Sequence, residues 1–202
     1  RELERAAREQ ARAQGYLEVR TPQVLRRAAW DASGHFAHFR EHMFRIEDQN
    51  VEAALKPVSC PGHLYVASRR ALSYRELPLR YAELGLVHRD EASGNLHGLL
   101  RVRQFTQDDG HVLAAWDDIP AEVRAFCAGI RPFYRAFGFD DIALALSTRP
   151  SDRAGDDASW DAAENALREA LVGLGESFVE NPGQGAFYGP KIEVSLRDRH
   201  GR

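Results

Sequence analysis

Apolar and polar positions along the chain repeat with two different periods, and each period predicts a different kind of element. Over residues 2–14 the apolar side chains recur at helical spacing, with Leu3, Ala7 and Ala11 on one stripe, which predicts an amphipathic helix. Gly15 is expected to end this helix, and a short strand is expected over residues 16–20.

The remaining elements follow from the same periods and from turn residues. Helices are predicted from Thr21-Pro22, with Thr21 as N-cap, to Gly34, from Pro61 to about Arg70, over 118–137 and over 156–173. Strands are predicted over 43–47, 52–55, 81–91, 99–114, 142–146 and 186–196, and at Phe178. Two hairpins are expected, turning at Asp48-Gln49-Asn50 and over residues 92–95. Hairpins mixed with helices, without a repeat or a linker, predict a single α+β domain.

One face of the predicted strand over residues 99–114 carries polar chemistry. Side chains alternate between the two faces of a strand, so the odd positions share a face: Arg101, Arg103, Phe105, Gln107, Asp109 and His111. The same rule places Arg89 and Glu91 together on the preceding strand. Arginines suit phosphate, an aromatic ring suits a base, and a carboxylate can accept from an exocyclic amine. A nucleotide site without a Gly-rich loop is one interpretation. A solvated face with cross-strand ion pairs is the other, and the pattern alone favours the second.

Composition narrows the class of protein. The 202 residues are 44% hydrophobic and 28% charged, as in ordinary globular proteins, and no apolar run approaches the ~20 residues of a membrane span. The formal net charge of −3 argues against broad nucleic-acid binding but allows a local RNA contact. Two cysteines, Cys60 and Cys127, are too few for a secreted disulfide framework, which favours the cytoplasm. The chain starts at Arg1 without an initiator Met or a signal-peptide pattern, so we expect a piece of a longer or processed protein.

Lysine is rare in this chain: of the 27 Lys and Arg residues, only Lys56 and Lys191 are lysine and the others are arginine. Where arginine is used nearly everywhere, a remaining lysine can mark a position that needs a compact ammonium rather than a planar fork. Chance is the alternative, and the residues alone leave it open.

Two stretches resemble the first two motifs of class II aminoacyl-tRNA synthetases. His88-Arg89-Asp90-Glu91, a loop and Arg101-Val102-Arg103-Gln104-Phe105 match the second motif, in which Arg-x-Glu is followed by Arg and Phe on the returning strand. The segment from Gly15 to Pro22 matches the first motif, whose proline lies at a dimer interface. The resemblance implies an α+β fold with an antiparallel sheet flanked by helices, and a homodimer with Pro22 at its interface.

Four further segments resemble the threonyl-tRNA synthetase family in particular: residues 56–63 (KPVSCPGH), 96–103 (LHGLLRVR), 105–111 (FTQDDGH) and 185–193 (GAFYGPKIE). The resemblance covers essentially the whole chain and implies that residues 1–202 are the N-terminal and central part of the catalytic domain. The third motif is expected to lie outside the chain.

The resemblance also implies a zinc ion, which the family holds with one Cys and two His. Cys60 and His111 match two of these ligands, and the third is expected outside this chain. By spacing alone this pair is no metal signal, and a buried inert Cys would be the default. A zinc ion that takes the amino and hydroxyl groups of threonine would reject valine, its near-isostere. Gln107, Asp109 and Tyr188 match residues around the amino acid, Asp109 accepting from its hydroxyl.

For ATP, bound with Mg²⁺, the resemblance assigns Arg89 to the α-phosphate and the attacking carboxylate, Glu91 to adenine, Arg101 to the γ-phosphate and Phe105 to base stacking. Lys191 is expected near the α-phosphate, and His35 is expected to help deprotonate the terminal ribose of tRNA. Catalysis of activation is then alignment and charge stabilisation. Tyr188 and Lys191 would face opposite ways on a regular strand, so Gly189-Pro190 must interrupt that strand if both assignments hold.

The implied function is activation of threonine with ATP and its transfer to tRNA(Thr), by a cytoplasmic homodimeric ligase that needs no membrane. One alternative is a truncated synthetase-like paralogue that binds an amino acid or a partner without charging tRNA. Another is an enzyme for serine, which zinc could also hold. The isolated 202-residue chain is expected to fold marginally and to be inactive. The reasons are the absent zinc ligand, the absent third motif and an apolar strand edge over residues 186–196.

Overall fold

The computed structural model describes residues 1–48, 51–197 and 201, and the chain divides into two compact units, Arg1–Leu113 and Ala114–Arg202. Both units combine helices with sheets, which confirms the α+β class. None of the described helices is both long enough and apolar enough to span a membrane. The assignment of the whole chain to part of one catalytic domain stays a prediction.

The first unit contains both predicted hairpins and the predicted N-terminal helix. In chain order its elements are α1 (Glu2–Ala13), β1 (Leu17–Glu18), β2 (Val24–Arg26), α2 (Arg27–Ala32), α3 (His35–Phe39), β3 (Arg45–Asp48), β4 (Val51–Leu55), α4 (Cys60–Ser68), β5 (Leu79–His88) and β6 (Gln104–Leu113). Gln49 and Asn50 of the first predicted turn lie outside the described residues.

Two sheets form within the described part of the first unit. In one sheet β5 lies between β1, which runs parallel to it, and β6, which runs antiparallel. In the other sheet β4 lies between β2 and β3 and is antiparallel to both. A core of Trp30, Met43 and Ala54 packs beside the second sheet, and burial of such apolar side chains is the main stabilising term.

The prediction that Thr21 caps a helix is wrong. The backbone N–H of Thr21 and its hydroxyl donate instead to the carboxylate of Glu83, at 2.9 and 2.8 Å. The hydroxyl oxygen, which would accept a backbone N–H in a cap, accepts instead from Lys56 Nζ at 2.9 Å. β2 follows, and the helix begins only at Arg27. Gly34, at φ 73°, separates α2 from α3, which confirms the predicted helix break.

The two long strands are shorter than predicted, which changes the residues that lie on them. Because β5 ends at His88 and β6 begins at Gln104, four residues expected on strands lie in the connection: Arg89, Glu91, Arg101 and Arg103. Arg89 N–H still donates to the carbonyl of Arg103 at 2.8 Å. Beyond this bond a side chain replaces the ladder, since Arg103 Nε donates to the carbonyl of Glu91 at 2.9 Å.

The second unit is a three-stranded sheet with helices. Its described elements are α5 (Ile119–Arg135), β7 (Ile142–Ser147), α6 (Asp157–Gly173), β8 (Phe178–Asn181) and β9 (Lys191–Leu196). β7 lies between β8, in parallel, and β9, antiparallel. Leu144 and Leu146 of β7 pack with Leu171 of α6, which gives this unit its own core.

The predicted strand over residues 186–196 begins only at Lys191. Ala186 and Gly189 exchange main-chain hydrogen bonds of 3.0 and 3.2 Å, so the residues before the strand form a turn. The expected exposed apolar edge is also wrong in part, because Ile192 and Val194 pack against the core of the second unit. What β9 presents at the edge of this sheet is its backbone.

Candidate functional site

One face of the β5–β6 hairpin gathers most of the candidate residues. The register places Tyr81 opposite His111, Glu83 opposite Asp109, Gly85 opposite Gln107 and Val87 opposite Phe105. Directly opposite residues of an antiparallel pair point to the same side of the sheet. The odd positions of β6 are partly buried and the even positions exposed, which confirms the predicted alternation from Gln104 to Leu113.

The N-terminal end of α4 packs onto this face. The hydroxyl oxygen of Ser59 lies 2.6 Å from the position that a Cβ on Gly85 would occupy, so only glycine leaves room for it there. One turn further along, Gly62 approaches Thr21 equally closely, with a built Cβ 2.7 Å from the Thr21 Cβ. Two glycines thus allow α4 to lie directly on β5 and on the segment before β2, which positions Cys60 at the first turn of the helix.

A buried chain of polar groups connects α4 to both long strands. Glu83 accepts from Lys56 Nζ at 2.8 Å and from the backbone and hydroxyl of Thr21. Its second oxygen also lies 3.0 Å from His63 Nε2, and His63 Nδ1 lies 2.7 Å from His111 Nδ1. Lys56, His63 and Glu83 are almost fully buried, so each must find its partner within the protein.

The carboxylate of Glu83 stays ionised in this buried place. Burial by itself would raise the pKa of Glu83, but hydrogen bonds from His63, Lys56 and Thr21 outweigh it and lower the pKa to about 2. Glu83 therefore acts only as an acceptor. The compact ammonium of Lys56 reaches one oxygen of Glu83 and the hydroxyl of Thr21 together, which gives this rare lysine a physical role.

Cys60, Asp109 and His111 form the part of the site that could hold a metal. Burial, and then the charge of Asp109, raise the pKa of Cys60 to about 11, and burial lowers the pKa of His111 against the opposing effect of Asp109. The same carboxylate thus acts on both the thiol and the imidazole. A thiol and an imidazole are donors that zinc prefers, so the set fits zinc. Among the described residues no three metal-binding side chains come together, so Cys60 and His111 do not by themselves form a complete metal site there.

Arg89 lies at the end of the hairpin beside two aromatic rings. Its guanidinium carbon is 5.1 Å from the ring centre of Phe105 and 5.7 Å from that of Phe39, and its Nε donates to the carbonyl of Pro57 at 3.3 Å. Such cation–π contacts hold the guanidinium in place. An arginine and an aromatic ring at the same end of a sheet face offer a phosphate contact and a stacking surface together.

Glu91 and Arg101 pair with each other. Arg101 Nη2 donates to Glu91 Oε2 at 2.9 Å; the carboxylate is buried and the guanidinium is half exposed. The structure therefore brings together the two residues expected at opposite ends of a nucleotide, and binding ATP would require them to separate or to share their contacts.

His35 and Pro22 lie at the start of elements in the first unit. His35, the first residue of α3, is buried with its Nδ1 3.0 Å from the hydroxyl of Ser33, and burial lowers its pKa. The last residue of α3 is Phe39, which contacts Arg89, so α3 links His35 to the end of the hairpin. Pro22 is exposed.

Tyr188 and Lys191 belong to the second unit. Tyr188 lies in the turn before β9 and is 67% exposed, and Lys191 begins the strand with its Nζ 2.5 Å from Glu193. The turn interrupts the alternation as the two assignments require, and their roles stay predictions.

Glu83 and His63 were not among the residues predicted for the site. A signal for Glu83 was present, because it is the lone acidic residue in the otherwise mostly apolar strand LRYAELGLVH. A charged residue in such a strand is seldom buried without a partner. His63 had no such signal, since the spacing of an i, i+3 pair with Cys60 is ordinary for a helix.

The chain resembles known proteins over its whole length. A family model for the tRNA synthetase class II core domain (G, H, P, S and T) matches residues 44–201. The chain is 51% identical to the threonine–tRNA ligase of Polynucleobacter necessarius subsp. necessarius (strain STIR1) and 50% identical to that of Dechloromonas aromatica (strain RCB), over 201 residues. These matches cover 100% of the chain but 31% and 32% of the two relatives, so the chain spans about a third of their length.

A solved structure supports the fold. The RNA binding domain of threonyl-tRNA synthetase from Cryptosporidium parvum Iowa II superimposes with a TM-score of 0.91 at 40% identity. The superposition covers 99% of this chain and 50% of that one. The architecture expected from the sequence motifs is therefore the architecture found.

Proposed function

Because the chain belongs to the class II tRNA synthetase core domain family (G, H, P, S and T), we propose that it is part of an enzyme that activates threonine with ATP and transfers it to tRNA(Thr). The family leaves the amino acid open, and the whole-chain similarity to threonine–tRNA ligases supports threonine. The alternative of a synthetase-like paralogue that does not charge tRNA is not favoured by these relatives.

One observation carries the proposal. A thiol on α4 and an imidazole, a carboxylate and an amide on β6 converge on one face of the hairpin, beside an arginine held over an aromatic ring. The thiol, imidazole, carboxylate and amide suit an amino acid with a side-chain hydroxyl. The arginine and the aromatic ring suit a nucleotide. Threonine and ATP would then be bound by neighbouring stretches of the same two strands.

For the nucleotide, the proposed roles are those of the second motif. Arg89 binds the α-phosphate together with the carboxylate of the amino acid, Phe105 stacks on adenine, and Glu91 and Arg101 contact adenine and the γ-phosphate once their own pair opens. Mg²⁺ accompanies the phosphates. Arg89 supplies positive charge where negative charge develops on the oxygens of the α-phosphate, and the carbonyl of Pro57 keeps its guanidinium oriented.

For the amino acid, Cys60 and His111 would hold zinc together with a ligand from outside the described residues. Bound zinc would supply a Lewis acid for the amino and hydroxyl groups of threonine. Asp109 accepts from the hydroxyl, and Gln107, opposite Gly85 on the same face of the hairpin, contacts the amino acid. A valine side chain would leave Asp109 without its hydrogen bond, which is how such a site rejects an isostere.

The remaining assignments concern residues outside this face. Tyr188 and Lys191 are proposed to contribute to the amino acid and the α-phosphate, and His35 to the terminal ribose of tRNA. Pro22 is proposed to lie at a homodimer interface, and the enzyme is proposed to act in the cytoplasm.

Amino-acid-dependent pyrophosphate exchange by the full-length protein tests the proposed function. Threonine should support exchange, valine should support at least ~100-fold less, and serine should be intermediate. Equal exchange with threonine and serine would move the proposal to a serine enzyme, and no exchange with any amino acid would contradict activation.

The proposed zinc site is tested by elemental analysis, in which the wild type should hold about one zinc per chain and Cys60→Ser much less. Cys127→Ser is the matched control, since Cys127 is a buried cysteine of the second unit.

A further inference from the structure

The second motif contains three arginines, and the proposed function uses Arg89 and Arg101 but gives no part to Arg103. In the structure Arg103 lies in the connection before β6, where Nε donates to the carbonyl of Glu91 at 2.9 Å and Nη2 donates to the hydroxyl of Ser93 at 3.3 Å. Its own carbonyl accepts from the N–H of Arg89 at 2.8 Å. Arg103 thus contacts both the residue proposed for the α-phosphate and the residue proposed for adenine.

We propose that Arg103 is a positioning residue that holds the main chain at Glu91, so that the Glu91 carboxylate stays directed at the amino group of adenine when Arg101 moves to the γ-phosphate. This inference rests on the nucleotide site of the proposed function. It deepens that site by naming a residue on which recognition of adenine depends, although that residue does not touch the nucleotide.

The two arginines bind different parts of Glu91. Arg101 Nη2 donates to the carboxylate oxygen Oε2 at 2.9 Å, and adenine needs this same carboxylate, so the pair must open when ATP binds. Arg103 donates to the backbone carbonyl of Glu91, which the nucleotide does not need, so this bond can persist in the complex. After Arg101 has left the carboxylate, the main chain of Glu91 still sets the direction in which that side chain points.

Both main-chain groups of Glu91 are bound, and Arg103 binds one of them. The Glu91 N–H donates to the carbonyl of Arg89 at 2.9 Å, which closes a three-residue turn just after the last ladder bond, from Arg89 to Arg103. The Glu91 carbonyl then accepts from the Arg103 side chain, at the place where a longer ladder would have continued. A side chain on a main chain held in this way is ordered before the ligand arrives, and such preorganisation favours binding.

The contact uses the planar fork of the guanidinium. Nε and Nη2 lie on one edge of the group and reach two acceptors that are two residues apart in the chain. A lysine ammonium has the same charge, but it is a single point on a flexible stem and cannot hold both acceptors in a fixed geometry. Direct attraction of a phosphate is the other role open to Arg103, and it needs the charge, which lysine preserves. Arg103→Lys therefore separates the two roles.

Recognition of the adenine amino group is a property that a merely structural residue would not change. In the full-length protein with Mg²⁺, calorimetry compares binding of ATP with binding of purine riboside triphosphate, which has hydrogen in place of the 6-amino group. The wild type should bind ATP about 10- to 100-fold more tightly, because the analogue leaves the Glu91 carboxylate without a donor. Arg103→Lys should reduce this preference about 5- to 10-fold, through weaker binding of ATP. Ser93→Ala removes one of the two acceptors and should reduce it less, and Arg12→Lys, at an exposed arginine of α1, should leave it unchanged.

A double variant tests whether Arg103 acts through Glu91. The preference of Glu91→Ala for ATP should be small, and adding Arg103→Lys should reduce it no further. A further reduction would overturn the proposal. So would a wild-type preference in Arg103→Lys, or an equal loss of affinity for both nucleotides, since either result would assign Arg103 to the phosphates or to the fold. Thermal unfolding of each variant checks the fold.

The binding measurement needs no amino acid, so it separates this inference from the proposed function. A wild type that prefers ATP to the analogue but supports no threonine-dependent exchange would contradict the proposed function, while Arg103→Lys would still decide the role of Arg103. A wild type that binds both nucleotides equally would contradict the adenine role of Glu91 and overturn the inference with it.

Discussion

Each carboxylate oxygen of Glu83 accepts two hydrogen bonds, so this one side chain connects three segments of the first unit. One oxygen accepts from the Thr21 N–H and from Lys56, and the other accepts from the Thr21 hydroxyl and from His63. The partners come from the segment before β2, from the end of β4 and from α4. Removing Glu83 takes this acceptor from all three residues at once, and a buried donor left without an acceptor costs more than the lost bond itself.

The depressed pKa of Glu83 predicts a loss of stability in acid. Because the pKa is about 2 in the folded protein and near 4.5 ordinarily, the contribution is complete above about pH 4.5 and is lost as pH falls towards 2. Such a shift corresponds to about 3 kcal/mol. Urea unfolding between pH 2 and 7 should show this decline in the wild type. Glu83→Gln should be less stable at pH 7 and should decline less in acid, and equal declines would contradict the role of Glu83.

Arg89 is the residue whose loss should affect chemistry without affecting the fold. Its side-chain contacts at the end of the hairpin include cation–π contacts with Phe39 and Phe105 and a bond to the carbonyl of Pro57, and these partners lie outside the Trp30–Met43–Ala54 core. Arg89→Ala should reduce threonine-dependent pyrophosphate exchange by at least about 100-fold, because a lost charge-assisted donor to the reacting phosphate costs ~3 kcal/mol. Circular dichroism should match the wild type, and Arg135→Ala, at an exposed arginine of α5, should retain activity. Exchange near the wild-type rate in Arg89→Ala would leave Arg89 a structural residue.

At the scale of the elements, the helices and strands of the structure can be compared with those predicted from the sequence. Period and turn residues predicted α1, α4, α5, α6 and the pairing of both hairpins, because these depend on neighbours in sequence. The predicted helix at Thr21 and the full length of the 99–114 strand were wrong. At Thr21, the side chains of Glu83 and Lys56, both distant in sequence, bind the hydroxyl that a cap would have used. In the hairpin, the Arg103 side chain binds the carbonyl of Glu91 where a longer ladder would have continued. The face of β6 was predictable from alternation, whereas the Glu83–His63–His111 chain depends on how α4 packs.

The contact between α4 and β5 depends on Gly85, which gives an element-scale prediction. A Cβ at this position would lie 2.6 Å from the hydroxyl oxygen of Ser59, and that oxygen has no hydrogen-bond partner among the described residues. Gly85→Ala should therefore destabilise the protein by about 1–3 kcal/mol by pushing α4 from the strand. The double variant Gly85→Ala, Ser59→Ala should recover most of this loss, and Ser59→Ala alone should cost little. Thermal unfolding of the three variants provides the measurement, and additive losses would argue against the contact.

At the scale of the whole molecule, the described residues offer two ligands to the proposed zinc site and bring no third one to them. Cys60 and His111 have the chemistry for zinc, yet no group of three metal-binding side chains comes together within the described ranges. The relatives extend over about three times the length of this chain. The sheet of the second unit also leaves the backbone of β9 at its edge within the described residues.

Residues 1–202 produced alone should therefore fold at best marginally, lose zinc to a chelator and fail to activate threonine. The full-length protein should fold stably, keep its zinc and support threonine-dependent exchange. Two protein ligands and solvent hold zinc weakly, because most of the affinity of such sites comes from a complete set of ligands already in place. An unpaired strand edge, meanwhile, favours association with other chains. Both proteins are compared in three measurements: size-exclusion chromatography for folding and association, elemental analysis for zinc, and threonine-dependent pyrophosphate exchange for activity. A soluble, zinc-loaded and active 202-residue protein would mean that a homodimer completes the site from a second copy, and the ligand expected elsewhere would then have to be sought across the dimer.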